Sequence, residues 1–270
     1  MDIMRFAVIY SKKNIAGVNI VKSLKENFFI PQIPIIELKN ETIYTDDINI
    51  KNYPELKNID FIVFASTHRS KENKPALCLH APGNFREANL GGKTGKVAPT
   101  SSYIMKFLFQ NLKKNKGTEP TLNNYELTLE ATHHGPDISI PCCFIEVGST
   151  DKEWNDKTAC KVIAKTIYEL NDFKENKSYI PAVGIGGPHY CPNFNPIQLS
   201  SNYAISHIIS SYSFPITESM IKEAEKKTTE QINEVIIDWK GCKSAEERAN
   251  IIKLLDKIGL KYIRTDKIKK

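Results

Sequence analysis

The chain has 270 residues, 41% of them hydrophobic, enough to bury a substantial core and too apolar for a disordered polymer. Its 37 basic residues exceed 31 acidic ones, a formal net charge of +6 that would favour a polyanionic partner, although a Lys-rich surface is more often plain solvation. No run approaches the roughly eighteen apolar residues of a membrane span, and the opening segment lacks the cationic start and cleavage site of a signal peptide, so a cytoplasmic location is expected.

An apolar run over 6–10 predicts a strand, and the spacing of Ile20, Val21, Leu24 and Phe28 predicts a helix after it. A buried strand over 60–65 runs into Ser66-Thr67-His68-Arg69-Ser70, and another over 75–79 runs into His80-Ala81-Pro82-Gly83-Asn84. Residues 83–99 lack periodicity and predict a long loop of the functional kind. A helix over 103–112 precedes a half-buried strand over 125–131, which continues into Thr132-His133-His134-Gly135-Pro136. A buried strand over 142–147 ends at Gly148-Ser149 and is followed by an amphipathic helix over 156–170. The strand over 180–185 leads into Gly186-Gly187-Pro188-His189-Tyr190, 203–209 predicts a helix bearing His207, and 218–231 predicts a charged helix. A strand over 234–239, a helix over 245–258 and a short strand near Tyr262 close the chain. This alternation argues for α/β with a largely parallel sheet covered on both faces. One domain over 1–270 is expected, with 240–270 as a completing helix and strand.

Five of the six histidines, His68, His80, His133, His134 and His189, follow directly on predicted strands. In open α/β sheets the ligand crevice lies outside the carboxyl ends of strands. A single loop histidine usually satisfies a local hydrogen bond, but five with one placement predict a convergent site. Imidazoles there could ligate zinc or serve as general base and acid. Without an H-E-x-x-H or C-x-x-C signature, any metal must be held by ligands distant in sequence; the candidates are His80, His133, His134, His189 and Glu130. His133 and His134 cannot point the same way on an extended strand unless the turn at Gly135-Pro136 re-aims them. Glu130 and Glu146 stand among apolar strand residues, where a carboxylate could orient an imidazole or bind metal, or could simply face water; Glu146 is the stronger of the two.

The six cysteines form no C-x-x-C pair and are expected to be reduced; Cys191 near His189 is a weaker nucleophile candidate than it is an inert buried thiol. Gly92-Lys93-Thr94 is not part of a P-loop, because Glu87 stands where the pattern needs glycine. Gly184-Ile185-Gly186-Gly187 lacks the third dinucleotide-binding glycine, His189 being in its place. Backbone N–H groups of Gly186 and Gly187 remain candidates for an oxyanion or phosphate, and Lys93 and Lys96 for phosphate.

In order and spacing, Ser66 to Ser70, His80 to Asn84, Glu130-Ala131-Thr132-His133-His134-Gly135-Pro136, Glu146-Val147-Gly148-Ser149 and the Gly184 to Tyr190 string together resemble the archaeal and plant type of D-aminoacyl-tRNA deacylase, over residues 6 to about 239. The resemblance implies a three-layer α/β/α fold with a mixed, largely parallel sheet, like that of phosphorylases and peptidyl-tRNA hydrolases and akin to zinc carboxypeptidases. It also implies hydrolysis of the ester between a D-amino acid and the terminal ribose of tRNA, tolerance of many side chains, and a Zn2+ requirement. It does not assign roles. The chemistry needed gives His80, His133, His189 and Glu146 as catalytic candidates, and His68, Arg69, Asn84, Lys93, Lys96, Gly186 and Gly187 as contacts for substrate and tRNA. A monomer away from membranes, with a D-aminoacyl-tRNA as partner, is expected. Two rival readings are a related hydrolase, either peptidyl-tRNA hydrolase-like or a zinc-dependent amidase or peptidase, and a non-enzymatic tRNA-binding protein. The last would gather its basic excess on one surface and leave its histidines dispersed.

Overall fold

The computed structural model describes residues 4–269; Met1, Asp2 and Ile3 of the opening segment and Lys270 of the basic tail lie outside them. In chain order the elements are β1 (Phe6–Ser11), α1 (Ile15–Asn27), β2 (Ile35–Leu38), β3 (Phe61–Thr67), β4 (Ala76–His80), β5 (Gly83–Asn84), β6 (Lys96–Val97), α2 (Ser102–Gly117), β7 (Glu126–Leu129), β8 (Cys142–Gly148), α3 (Asp151–Trp154), α4 (Lys157–Tyr168), β9 (Ile180–Ile185), α5 (Asn195–Ser200), β10 (Tyr203–Ile209), α6 (Glu218–Lys226), β11 (Glu234–Ile237), α7 (Ala245–Ile258) and β12 (Lys261–Arg264). Among the described residues no helix is long and apolar enough to cross a membrane.

The fold is α/β, and its strands divide between two main sheets. A six-stranded mixed sheet has the order β2-β1-β3-β8-β4-β7, parallel throughout except where β4 meets β8. A four-stranded sheet, β10-β9-β11-β12, is wholly parallel. The loop expected over 83–99 contains the small antiparallel pair β5-β6. Residues 203–209 form a strand, not the expected helix. Their Ile-rich run is buried over Ala204 to Ile209, so it lacks the alternation that separates a strand from a buried helix, and its β-branched side chains suit the sheet.

Residue parity gives the six-stranded sheet two different faces. Val63 and Ala65 of β3, Leu77 and Leu79 of β4, and Cys143, Ile145 and Val147 of β8 pack with the apolar sides of α1, α2 and α4. Helix α1 starts where the Asn14 side chain accepts the Gly17 N–H at 2.8 Å. Gly17 allows the helix to approach β3, since a Cβ there would stand 2.5 Å from the Ala65 carbonyl oxygen. On the other face Ile62, Phe64, Cys142 and Phe144 meet Ile48, Leu56 and Ile138. The segment 40–60, not a helical layer, supplies much of this cover, and the same face carries the site described below.

Helix α2 joins the two sheets. Its Ser101 hydroxyl caps the helix by accepting the Ile104 N–H, and the Glu230 carboxylate, just before β11, accepts the N–H and hydroxyl of Ser102 at 2.8 and 2.9 Å. Lys106, buried in the same helix, donates to the carbonyls of Gln198 and Tyr203 at 2.7 and 3.0 Å. A carboxylate at a helix N-terminus accepts otherwise orphaned donors and meets the positive end of the helix dipole. Glu230→Ala is therefore expected to destabilise the fold by about 1–3 kcal/mol, measured as a lower urea midpoint with an unchanged m-value; an unaltered midpoint would remove this contact from the stabilising set.

Candidate active site

The pairing registers place Ser66, Glu146, Cys78 and Thr128 in one cross-strand row, and Phe64, Phe144 and His80 in the next row of the same face. Glu130 follows β7 on that face and is 2% exposed. Around it converge the imidazoles of three other segments: His68 Nδ1 at 3.1 Å and His189 Nε2 at 3.2 Å from Oε1, and His80 Nε2 at 3.7 Å from Oε2. These nitrogens lie off the hydrogen-bond line, so both carboxylate oxygens lack an aligned donor from the protein. The cluster therefore spreads over a sheet face and does not follow one carboxyl edge. Because β4 and β7 run against β3 and β8, the ends of these strands lie at different ends of the sheet.

The second sheet delivers His189. In the turn that follows β9, the N–H groups of Gly186 and Gly187 donate to the carbonyls of Ile209, at the end of β10, and Gly241, after β11, at 2.8 and 3.2 Å, so both are already committed. Beyond it, the His189 carbonyl accepts the Ala131 N–H at 2.8 Å and the Ile208 carbonyl accepts the Thr132 N–H at 3.0 Å. These two bonds tie the segment carrying Glu130 to the ends of β9 and β10.

His80, His133 and His134 form a second group. Their ring centroids are 4.3 Å apart for His80–His133, 4.8 Å for His80–His134 and 4.3 Å for His133–His134. The adjacent pair shares a side because β7 has already ended and His134 takes a φ of 45°, outside extended geometry. His133 Nδ1 lies 2.8 Å from the Ala131 carbonyl and His134 Nδ1 2.6 Å from the Gly135 carbonyl, while His80 Nδ1 is 3.3 Å from the Ala81 carbonyl. A carbonyl can only accept, so each Nδ1 carries the proton and each Nε2 presents a lone pair. Burial lowers all three, His80 well below its ordinary value, His133 to about 4 and His134 to about 3, which keeps the rings neutral.

Neutral imidazoles with carbonyl-oriented Nδ1–H groups fit a divalent metal, and His80 Nε2 is buried without a hydrogen-bond partner. One donor atom from each of the three lies within 4.8 Å of the others; Glu130-His133-His189 and His80-Glu130-Glu146 meet the same distance limit. The two carboxylates are driven apart. Burial alone would raise Glu130, but the imidazoles of His189 and His68 outweigh it and hold the group well below the usual carboxylate range. Burial, with the charge of Glu130 added, pushes Glu146 well above that range, partly offset by the Ser66 hydroxyl. One buried carboxylate is thus ionised and its neighbour protonated.

A cleft of about 440 Å³ is lined by His68, Arg69, Glu130, His133, His134, Glu146 and His189, with Asn14 and Thr67 at its side. Arg69 lies over the Trp154 ring, 4.7 Å from its centroid, and Trp154 donates to the His68 carbonyl at 3.0 Å. Asn84 lines a neighbouring cavity and donates to the Gly91 carbonyl at 2.8 Å. Lys93 and Lys96 line neither space; they pair with Asp137 at 2.8 Å and Glu223 at 3.4 Å. All six cysteines are free and buried, and burial pushes the Cys191 thiol well above its ordinary value, which disfavours a thiolate nucleophile. Sequence reasoning ranked Glu130 below Glu146 and gave Asn14 no role. Asn14 caps α1 and donates to the Ser66 hydroxyl at 3.2 Å, and its position just before an amphipathic helix was the available signal.

A family model described as D-aminoacyl-tRNA deacylase matches residues 55–263. The D-aminoacyl-tRNA deacylase of Thermococcus onnurineus is 34% identical, covering 95% of this chain and 98% of that protein. The Methanocaldococcus jannaschii protein of the same name is 30% identical, over 97% and 100% respectively. A crystal structure of a conserved protein of unknown function superposes with a TM-score of 0.89 at 28% identity, covering 100% of this chain and 98% of that one.

The neutral imidazoles also make stability depend on pH. His133, His134 and the buried strand histidine His207, lowered by burial to about 4, refuse protons that an unfolded imidazole accepts below ~6.5. Their stabilising contribution is complete above that value and is lost as pH falls through the folded ones. Glu130 acts in the same direction, and Glu146, being raised, acts in the opposite one. In chelator-treated protein the urea midpoint is expected to fall steadily from about pH 7 to about pH 4; a flat midpoint across that window is incompatible with buried neutral histidines.

Proposed function

Because the chain belongs to the D-aminoacyl-tRNA deacylase family, we propose that the histidine–carboxylate cleft hydrolyses the ester between a D-amino acid and the terminal ribose of tRNA. The observation that carries this reading is the convergence of His68, His80 and His189 on Glu130, beside His133 and His134. Ester hydrolysis needs a water deprotonated, an oxyanion stabilised and a leaving oxygen protonated. The substrate's α-ammonium group finds acceptors in the same cleft, where Glu130 carries the negative charge.

His189 is the proposed general base. Its side chain is 33% exposed, so water and substrate reach it, and Glu130 behind Nε2 orients the ring and stabilises the imidazolium. As water adds to the ester carbonyl carbon, the imidazole takes one of its protons. Collapse of the tetrahedral adduct breaks the bond to the ribose oxygen, which takes the proton back from the imidazolium. Free D-amino acid and tRNA with its terminal hydroxyl restored are released. Protonated Glu146 is a hydrogen-bond donor within the same pocket, and His68 keeps Glu130 ionised when His189 is neutral.

His80, His133 and His134 are the proposed ligands for Zn2+. When bound, it would polarise the ester carbonyl and lower the pKa of a coordinated water. Arg69 at the rim is offered to the tRNA end; Lys93 and Lys96, already paired with carboxylates, are weaker phosphate contacts. We read 1–270 as one domain acting as a monomer in the cytoplasm, in which 240–270 supply α7 and the edge strand β12.

D-tyrosyl-tRNA and L-tyrosyl-tRNA are to be compared with and without a chelator. D-selective release, abolished by chelation and restored by zinc, is expected; turnover of N-blocked peptidyl-tRNA instead would favour the peptidyl-tRNA hydrolase reading. His80→Ala should lose stoichiometric zinc by metal analysis as well as activity, and retention of bound zinc would move the metal to another set. His189→Ala should lower kcat by about 10²- to 10⁴-fold while leaving zinc content intact; wild-type kcat would remove it as the base.

A further inference from the structure

Beside the cleft lies a second cavity of about 370 Å³, lined among others by Asn84, Arg86, Asn89, His133 and Tyr212. His133 lines both spaces. We propose that this second cavity receives the 3′-terminal nucleotide of the tRNA, with Tyr212 stacking on the base and Arg86 meeting the phosphate. The proposal rests on the deacylase reading, which places the acyl half of the ester in the carboxylate-lined cleft and so requires the nucleoside half to lie next to it.

Tyr212 is 53% exposed. It stands on a tight turn, Ser211–Ser213, whose first N–H donates to the Gly187 carbonyl at 2.9 Å, so the glycine turn after β9 sets the position of the ring. Its hydroxyl is 3.5 Å from His189 Nδ1, which brings the ring to the border of the reacting groups. A half-exposed aromatic ring that lines a cavity is a stacking platform for a base. Arg86 donates from Nε to the Ser213 carbonyl at 2.9 Å and from Nη2 to the Pro215 carbonyl. Both partners are neutral, so the guanidinium is fixed in plane while keeping its full charge, an arrangement suited to phosphate. Asn84 and Asn89 add amides, and Glu87 is the one carboxylate lining this space, whereas the neighbouring cleft holds buried Glu130 and Glu146. The two cavities thus differ in balance: the cleft sets buried Glu130 and Glu146 beside Arg69, and the second cavity sets Arg86 and the Tyr212 ring beside Glu87.

The test uses uncharged tRNA in which the terminal adenine is replaced by 2-aminopurine, whose fluorescence is quenched by stacking. Wild-type protein should quench the probe. Tyr212→Ala should bind it about tenfold more weakly and leave it unquenched at saturation, and Tyr212→Phe should restore both properties. Arg86→Ala should weaken binding and reduce the slope of log affinity against log salt by about one. Equal quenching by wild type and Tyr212→Ala at saturation overturns the proposal. Quenching without release of D-amino acid from charged tRNA overturns the deacylase reading and supports the nucleotide site; release with an unquenched probe overturns the nucleotide site alone.

Discussion

A carboxylate at 2% exposure cannot stay ionised unless charge or dipoles surround it, and Glu130 is where this constraint acts. Its partners come from segments far apart in the chain: the end of β3, the end of β4 and the turn after β9. Removing any one of these three segments therefore unbalances the same group. The bonds from Ala131 to the segment after β9 and from Thr132 to β10 hold the second sheet against the first at this point, so the contacts that dock the sheets also position the site.

The reversal between β4 and β8 decides the shape of the site. In an all-parallel sheet, residues that follow strands gather along one edge; here they occupy a face, with Phe64 and Phe144 as the floor. The His80 ring lies stacked on Phe144, 5.3 Å between centroids and 9° from parallel, and His134 meets the edge of the same ring. This apolar floor fixes the planes of His80 and His134 and helps exclude water, and it is burial that keeps the trio neutral.

Two electrostatic regimes meet within this small volume. His80, His133 and His134 are buried beside backbone carbonyls that set their tautomer, and they behave as lone-pair donors. His68 and His189 instead direct a ring nitrogen at the Glu130 carboxylate, 3.1 and 3.2 Å from Oε1. The separation requires no distance along the sequence: Glu130 and His133 are three residues apart, yet the carboxylate meets His68 and His189 while the imidazole packs with His80 and His134, His80 being common to both groups.

The sequence by itself determined the strand–helix alternation, the burial of β1, β3 and β8, and the placement of five histidines at or beyond strand ends, because each follows from local periodicity and composition. It also placed Glu146 inside an apolar strand, and it carried the family resemblance through the order of short strings. Local pattern misled at 203–209, where burial over nearly the whole strand erased the alternation, and it could not show that Lys93 and Lys96 pair with carboxylates from elsewhere in the chain. Only the tertiary structure decided that Glu130 is the hub, that His133 and His134 share a side, and that Gly186 and Gly187 spend their N–H groups on the carbonyls of Ile209 and Gly241. The reason is physical: periodicity reports which residues avoid water, whereas the charge and direction of a buried polar group depend on neighbours brought in by other strands, whose register and direction no local window contains.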